Sequence, residues 1–210
     1  ASINTILRPE HYIKDLSKLD SVGKVAPGNK IKILDENGKE CPPGVPGDLY
    51  LVSILTQHLD YYKDPEKTER SFCVIDGEKY FIEGEIAYMD EYGFLYIVDR
   101  KKDVIISGGM NIYPAEIENV IHSHPKVADV AVIGVPDTEW GESVKALIVL
   151  KEGESATEED FIQYCKERMA GYKKPKSVEF VNELPRHADG KIMKRQLKEK
   201  YWKGRKITEW

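Results

Sequence analysis

Lys191 is the side chain of this sequence whose setting best suits chemistry. Pro185 and Gly190 fix the loop that carries it, and a lysine on such a loop can reach into a neighbouring cleft as a point charge. A cation held in this way stabilises negative charge that develops on a phosphoryl or acyl oxygen. A solvated surface lysine is the competing interpretation, because most lysines are of that kind, and the pattern leaves both open.

A glycine pair, Gly108-Gly109, is the second feature with chemical potential. It follows a β-type run, and taken alone it indicates a turn or a bulge. Close approach of the backbone to a ligand is the functional alternative. The chain has neither the G-x-G-x-x-G nor the G-x-x-x-x-G-K-[ST] spacing, so neither common phosphate-binding loop is predicted.

The composition excludes several kinds of function. The 210 residues include 31 basic and 36 acidic side chains, a formal net charge of −5, which argues against nucleic acid as the main partner. No apolar stretch approaches ~20 residues, so no transmembrane segment is predicted. Basic residues concentrate between positions 186 and 206, where both a local anion site and a soluble tail fit the pattern.

No metal site is predicted in this chain. His122 and His124 have no carboxylate cluster beside them, and the cysteines show neither zinc-ligand nor disulfide spacing. Reduced thiols and the lack of a secretory signal favour a cytoplasmic location. The sequence begins without a methionine, so we expect a piece of a longer protein. The cysteines are Cys41, Cys73 and Cys165.

The elements that must position these residues change in character at Asp99. Residues 1–98 are predicted to be mostly β, and residues 99–210 to form a small α+β domain with a short sheet flanked by helices. The fold class is therefore α+β, and the charged run at residues 99–103 marks the boundary between the two parts.

In the first part, alternation predicts strands at residues 30–34, 48–53 and 94–98. Asn37-Gly38 is suited to a type I′ turn. Asp64 followed by Pro65 predicts the start of a short helix. In the second part, apolar β-branched runs predict buried strands at residues 127–135 and 144–150, and a further strand is predicted at residues 177–181.

Helices in the second part have recognisable start signals. A helix is predicted from Ala115 to His122, with Pro114 in its first turn. Thr157 is a predicted N-cap for a helix that runs to about Met169, with Gly171 closing it. Residues 194–202 are predicted to be a basic helical end.

Three motifs in one order resemble the C-terminal portion of the adenylate-forming acyl-CoA synthetases. Residues 93–118, which contain Asp-Arg-Lys-Lys-Asp and Ser-Gly-Gly-Met-Asn-Ile-Tyr-Pro, resemble the family's hinge motif. Residues 47–50 and 61–68 resemble its β-barrel subdomain. Residues 174–195 resemble its C-terminal lysine motif. The match covers nearly the whole chain.

The resemblance implies a two-step ligase. ATP and a carboxylate give an acyl-adenylate and pyrophosphate, and the thiol of CoA then displaces AMP. Residues 1–98 would be the end of the large AMP-binding domain, part of a distorted β-barrel. Residues 99–210 would be a mobile lid that rotates between the two steps about a hinge at Asp99.

The resemblance also implies roles for individual residues. Lys191 would be the adenylation lysine, because adenylyl transfer needs positioning and charge stabilisation. Arg100 and Glu85 would contact the nucleotide. Ser107, Gly108 and Gly109 would lie on the face used in the thioester step, where small residues leave room for pantetheine. ATP or AMP and CoA are the implied cofactors, and Mg²⁺ is expected through ATP.

Two departures from the family pattern bear on activity. Glu83-Gly84-Glu85 stands where the family has Thr-Gly-Asp, so the ribose carboxylate is one methylene longer and a small hydroxyl residue becomes an anion. The family's phosphate loop and its Tyr-Gly-x-Thr-Glu motif are expected upstream of residue 1. The chain alone is therefore expected to be inactive.

Three readings of the function stay open. The first is a fragment of an acyl-CoA ligase of fatty acid metabolism or for other carboxylic acids, and residues 107–114 favour it. The second is another adenylate-forming enzyme, such as a peptide-synthesis module or a luciferase-like protein. The third is a non-catalytic binding or regulatory module, favoured by Glu83 and by the missing upstream motifs. The sequence predicts no particular carboxylate and no oligomeric state.

Overall fold

A computed structural model describes residues 4–203 of the chain. Its contacts divide the chain into two compact units, and the division falls between Lys101 and Lys102. The first unit is β-rich and the second combines a sheet with helices, which agrees with a mixed class of fold. The stretch of concentrated basic residues, positions 186–206, lies partly outside the described residues. No helix in the described part of the chain has the length and apolarity to cross a membrane.

The first unit is built on a seven-stranded antiparallel sheet in the order β1-β2-β7-β6-β4-β3, with β5 also paired to β6. Its strands are β1 (Thr5–Ile6), β2 (Gly23–Val25), β3 (Lys30–Leu34), β4 (Gly47–Val52), β5 (Phe72–Ile75), β6 (Glu78–Met89) and β7 (Phe94–Arg100). Its α-helices are α1 (Pro9–Tyr12), α2 (Ile54–Gln57) and α3 (Pro65–Arg70), and a 3-10 helix covers Leu16–Asp20.

Alternation explains the strands of this unit. Along β4, Leu49 and Leu51 are buried while Asp48 and Tyr50, which alternate with them, are partly exposed, so one face of the strand points to the core. The predicted strands at residues 30–34, 48–53 and 94–98 are confirmed as β3, β4 and β7. The predicted short helix is confirmed as α3, whose N-cap Asp64 accepts a hydrogen bond from the backbone N–H of Lys67.

The predicted type I′ turn at Asn37-Gly38 is wrong. That turn needs positive φ at both residues, and of the two only Gly38 has it, at +76°. Asp35 shapes the turn instead, because its Oδ1 atom accepts from the backbone N–H groups of Asn37 and Lys39. The side-chain acceptor favours a different turn from the one that the dipeptide suggests.

The second unit is built on a five-stranded sheet in the order β10-β11-β8-β9, with β12 parallel to β11. Its strands are β8 (Ile105–Ser107), β9 (Met110–Ile112), β10 (Val127–Asp137), β11 (Gly141–Leu150) and β12 (Ser177–Phe180). Its α-helices are α4 (Pro114–His122), α5 (Glu158–Lys166) and α6 (Lys194–Glu199), and a 3-10 turn at Lys101–Asp103 spans the division between the units.

Strand β10 is buried on both faces, which explains its continuous apolar sequence. Val130 and Val132 belong to the core that also contains residues of α4 and α5. Ala131 and Ile133 point the other way and belong to a second core, to which Leu197 of α6 contributes. The predicted strands at residues 127–135, 144–150 and 177–181 are confirmed as β10, β11 and β12.

Helix starts agree with the sequence signals better than helix ends do. The hydroxyl of Thr157 accepts from the N–H of Asp160, whose carboxylate accepts from the N–H of Thr157, so the predicted cap is confirmed. The predicted end near Met169 is wrong, since α5 ends at Lys166. Gly171 lacks the positive φ of a closing glycine. Helix α6 likewise ends at Glu199, before the predicted Trp202.

A tight turn joins β8 to β9 at the predicted glycine pair. Ser107 pairs with Met110, and Gly108 and Gly109 between them have φ of +57° and +79°, as a type I′ turn requires. Trp140 lies against this turn, and its carbonyl oxygen accepts from the N–H of Gly108 at 2.9 Å. The pair is therefore a turn, as one of the two sequence interpretations predicted.

A buried carboxylate lies beneath the same hairpin. Glu142 is only 7% exposed, and its Oε2 atom has no hydrogen-bond partner among the described residues. Gly134 leaves room for it, because a Cβ atom at that position would lie 2.2 Å from Oε2. Burial raises the pKa of Glu142, while the charge of Lys198 and the backbone N–H of Ile106 act in the opposite direction.

We expect Gly108→Ala to destabilise the second unit more than Gly109→Ala does. Both substitutions force a residue with a Cβ into the left-handed region, at about 1–2 kcal/mol. Only at position 108 would the new Cβ also meet the Trp140 ring, 2.6 Å from Cε3, whereas nothing lies within 4 Å at position 109. Overpacking of this kind adds about 1–3 kcal/mol.

Urea unfolding of both variants measures this difference. Adding Trp140→Ala to each should bring the two losses together, because the ring that Gly108→Ala strikes is then gone. Equal losses for the two glycine variants with Trp140 in place would contradict the assigned packing.

We expect Glu142→Gln to become more stable relative to the parent chain as the pH rises. The pKa of Glu142 is raised in the folded state above its ordinary value of 4.5. The folded state therefore binds the proton more tightly, and the free energy of unfolding falls as the pH rises from the unfolded towards the folded pKa. Glutamine removes that dependence. Urea unfolding between pH 4 and pH 8 measures it, with the exposed Glu152→Gln as the control. A parallel pH dependence in parent and variant would contradict the assignment.

Candidate functional site

Glu85 and Arg100 lie directly opposite each other on β6 and β7. Directly opposed residues of antiparallel strands project their side chains to the same face. Both side chains are partly exposed, so a ligand on that face can reach a carboxylate and a guanidinium together. The two residues predicted to contact a nucleotide are thus brought side by side, although they lie fifteen positions apart in the sequence.

A backbone irregularity at Gly84 separates two carboxylates that line the same cavity. Gly84 has φ of +72°, and the pairing of β4 with β6 shifts register around it, between Asp48 and Tyr50. Glu83 and Glu85 on either side of the glycine both line a cavity of about 320 Å³ whose other lining is mainly apolar. Burial, and then the charge of Glu85, raise the pKa of Glu83.

Asp99 lies within β7 and not in a connecting loop. It pairs with Ile86, and its Oδ1 atom accepts from the N–H of Arg100 at 2.7 Å. The ladder shifts register at this point, between Ile86 and Ala87. Just beyond, Lys101 donates to Asp48 at 2.6 Å. Residues 99–101 are thus fastened to the first unit, and the division between the units falls three residues after the predicted boundary at Asp99. The hinge itself stays a prediction.

In the second unit, Ser107, Gly108 and Gly109 form the turn described above, with Trp140 against it. Sequence reasoning missed Trp140, which is 48% exposed despite its size. Asp137 fixes the loop that carries it, since its Oδ1 atom accepts from the N–H groups of Glu139 and Trp140. A hydrogen bond from Lys176 lowers the pKa of Asp137 to about 2. The carboxylate-centred turn before a large aromatic residue was the available signal.

Lys191 lies on a hairpin-like loop, in which Arg186 pairs with Ile192. The carbonyl oxygen of Lys191 accepts from the N–H of His187, and its own N–H donates to Asp189 at 3.1 Å. That backbone N–H is also the main reason why the pKa of Asp189 is lowered. The backbone at position 191 is therefore fixed on both sides.

The ammonium group of Lys191 remains accessible. The side chain is 60% exposed, and its Nζ atom lies 3.3 Å from Asp189 Oδ2. An exposed ion pair of this kind contributes little stability and exchanges readily with other anions. The arrangement can therefore offer a cation to a phosphoryl or acyl oxygen without first breaking a buried contact.

The predicted site residues thus fall into three groups. Glu85, Asp99 and Arg100 share the β6–β7 ladder of the first unit. Ser107 to Gly109 form one turn of the second unit, and Lys191 lies on a separate loop of that unit. No cluster of three or more potential metal ligands occurs within residues 4–203.

Comparison with known proteins assigns most of the second unit to a family. Residues 116–191 match the family described as the AMP-binding enzyme C-terminal domain. That range begins inside α4, includes β10, β11, α5 and β12, and ends at Lys191.

Two relatives extend the likeness to both units. ScoC, a fatty acid–[acyl-carrier-protein] ligase of Streptomyces coeruleorubidus, is 36% identical over 196 residues, which are 93% of this chain and 37% of the relative. A 2-succinylbenzoate–CoA ligase of Bacillus licheniformis is 44% identical over 191 residues, 91% of this chain and 38% of the relative. The chain therefore spans little more than a third of the length of either relative.

A solved structure has the same architecture. It is o-succinylbenzoate CoA synthetase (MenE) from Bacillus subtilis in complex with the acyl-adenylate intermediate OSB-AMP. The TM-score is 0.79 at 37% sequence identity, covering 94% of this chain and 38% of that chain. Residues 116–191 are thus an AMP-binding enzyme C-terminal domain, and the chain as a whole is similar to part of the adenylate-forming acyl ligases.

Proposed function

We propose that this chain is the C-terminal portion of an ATP-dependent acyl ligase. In the first step the carboxylate attacks the α-phosphorus of ATP, an acyl-adenylate forms and pyrophosphate leaves. In the second step a thiol attacks the acyl carbon and AMP leaves. The observation that carries the proposal is the exposed ammonium of Lys191 on a loop with a fixed backbone, at the end of the range that matches the AMP-binding enzyme C-terminal domain.

Lys191 is the residue that we assign to adenylate formation. Negative charge must be stabilised on the oxygens of the phosphoryl group as it is transferred, and this reaction asks the protein mainly for position and charge. A lysine with an accessible ammonium and a fixed backbone supplies both. Its partner Asp189 keeps the ammonium near the loop until a stronger anion replaces it.

Glu85 and Arg100 are assigned to the nucleotide. A carboxylate accepts hydrogen bonds from both hydroxyls of a ribose, and a guanidinium donates to ribose or phosphate oxygens. Their cross-strand pairing supports the assignment, because one ligand can meet both groups on one face. Glu85 directly follows Gly84, at which the register of β6 against β4 shifts.

The turn at Ser107 to Gly109 is assigned to the thioester step. A slender pantetheine arm needs a surface without bulky side chains, and nothing lies within 4 Å of where a Cβ of Gly109 would be. Trp140 borders the same turn and adds an apolar wall. Rotation of the second unit about Asp99 remains our proposal for how this turn and Lys191 act in different steps.

The cofactors of the proposed reaction are ATP, which becomes AMP, and CoA as the thiol. Mg²⁺ would enter with the phosphates of ATP, and the residues described here do not form a cluster that would hold it alone. The thiol can differ, because ScoC is named for an acyl-carrier-protein and the Bacillus licheniformis relative for CoA. A fatty acid or another small carboxylate is the substrate class.

A second candidate function is a binding or regulatory module without catalysis. The observation that favours it is Glu83, a partly buried carboxylate beside Glu85 whose pKa is raised by burial and by that neighbour. Two carboxylates close to a nucleotide phosphate would weaken its binding. Nucleotide binding therefore separates the two functions.

We expect the purified chain to bind AMP, and Arg100→Ala to weaken that binding about tenfold, as the loss of one charge-assisted hydrogen bond predicts. Calorimetric titration measures it, with the exposed Arg70→Ala as the matched control. Lys191→Ala should weaken ATP binding, with the exposed Lys166→Ala as its control. Binding that ignores both substitutions would contradict the site assignment and favour the module without catalysis.

We expect the isolated chain to catalyse no ATP–pyrophosphate exchange with any carboxylate, because its sequence holds no phosphate loop. A fusion in which this chain replaces the matching portion of the Bacillus licheniformis ligase should exchange pyrophosphate when 2-succinylbenzoate is added. Lys191→Ala in the fusion should lower the exchange rate by about 10²–10³-fold, as loss of one oxyanion contact does elsewhere.

The second step serves as the control for this fusion. The same variant should convert a supplied acyl-adenylate and CoA to the thioester at nearly the parent rate, since Lys191 is assigned to the first step alone. Exchange by the isolated chain would contradict its expected inactivity. Equal loss of both steps in the Lys191→Ala fusion would contradict the role given to this lysine.

A further inference from the structure

We propose that Glu118 and Asp129 are positioning residues, which hold the loop of Lys191 by its two ends against strand β10. The Lys191 loop is defined here as residues 186–194. The part of the proposal that concerns adenylate formation rests on the proposed function, whereas the fastening of the loop does not depend on it.

The first end of the loop is held through Arg186. Its guanidinium forms an ion pair with Asp129, a residue of β10. The same guanidinium donates through NH1 to the carbonyl oxygen of Gly190, the residue just before Lys191. One side chain thus ties the strand, the beginning of the loop and its far side together. A guanidinium suits this task because its donors are fixed in a planar fork.

The second end is held through Lys194, the first residue of α6. Its Nζ atom lies 2.8 Å from Glu118 Oε1. The same carboxylate oxygen of Glu118, a residue of α4, accepts from the backbone N–H of Val132 at 2.7 Å. Glu118 therefore joins a helix, strand β10 and the end of the loop at one point.

The two fastenings differ in how much solvent screens them. The side chains of Lys194 and Glu118 are only 13% and 21% exposed. A shielded, charge-assisted bond is stronger than a surface pair, and breaking it leaves an unpaired charge with little access to water. The second end is therefore the firmer one, and the pair of Arg186 with Asp129 is the more adjustable.

The spacing of the anchors fixes the shape of the loop. Asp129 and Val132 are three residues apart on one extended strand, which corresponds to about 10 Å. Arg186 and Lys194 are eight residues apart, so the chain between them must fold back. It does so in the hairpin-like turn, where His187 donates to the carbonyl of Lys191 and Met193 donates to that of Pro185. Lys191 occurs on the stretch between the two anchors, with its ammonium exposed.

The two contacts that hold the ends of the loop improve the positioning of the Lys191 ammonium, which is difficult for any lysine on a loop. The lysine side chain is a flexible four-carbon stem, and it loses much conformational entropy when its ammonium is held in one position. If its backbone were mobile as well, the ammonium would rarely lie where charge develops, and a displacement of about 1 Å is enough to lower a rate strongly. Because Arg186 and Lys194 hold the backbone of the loop, the side chain of Lys191 itself stays accessible.

Amide hydrogen exchange on this chain tests the fastening. The amides to follow are those of His187, Gly190 and Met193, which donate hydrogen bonds inside the loop or at its base. We expect Asp129→Asn and Glu118→Gln each to speed their exchange by about tenfold, as the loss of a net bond of this kind predicts. Lys194→Met should do the same while leaving the bond between Glu118 and Val132 in place. Exchange at the amides of α5 should not change in any of them.

Glu167→Gln is the matched control, because it removes an ion pair with Arg168 in the same unit but far from this loop in sequence. If the loop amides exchange at the parent rate in Asp129→Asn, Glu118→Gln and Lys194→Met, the proposal is overturned, whatever happens to nucleotide binding. Lys194→Met also covers the case in which Glu118→Gln fails to fold.

Binding of ATP to the same variants tests the positioning role. We expect Asp129→Asn and Glu118→Gln to weaken ATP binding in the direction of Lys191→Ala, and Asp129→Glu, which keeps the charge, to restore both binding and slow exchange. Faster exchange with ATP binding unchanged, while Lys191→Ala weakens it, would overturn the positioning role. If Lys191→Ala itself leaves ATP binding unchanged, the proposed function fails for this lysine and the positioning role falls with it, while the exchange rates still decide whether the loop is fastened.

Discussion

The burial of β10 on both faces is the constraint on which the second unit depends. One face packs with α4 and α5, and the other packs with α6 and the segment around Leu184 that leads into the Lys191 loop. A strand in this position cannot shift without disturbing two cores, because packed interiors resist small displacements. Contacts made to its backbone or to its polar edge residues are therefore made to the most rigid part of the unit.

In the first unit, the pairing of strands places two charged groups on one face of the sheet. The β6–β7 ladder sets Glu85 opposite Arg100, and the positive φ of Gly84 lets β6 carry extra residues past β4. Asp99 lies in the same ladder, one residue from Arg100. A hinge at Asp99 would therefore have to absorb its backbone change at the last rungs of a sheet, where the register already shifts and the ladder is weakest.

The sequence predicts local features of this fold well and long-range ones poorly. Thr157 marks the start of α5 because the cap uses groups three residues apart. The sequence does not predict the end of α5, because Met169 packs against the same core as Cys165 although the helix already ends at Lys166, so apolar spacing continues past the helix. Lys191 was found from its own loop, whereas Trp140 was not, since its contact with Gly108 joins residues far apart in the chain.

Charge is used in two ways around the candidate site, and burial separates them. Lys194 and Glu118 are shielded and hold backbone in place, so their charges are saturated by each other and by an N–H group. Lys191 is exposed and weakly held, so its charge remains available to a ligand. A single lysine cannot do both, because an ammonium that is buried and paired resists leaving its partner. The two roles therefore fall to two lysines that lie only three positions apart in the sequence.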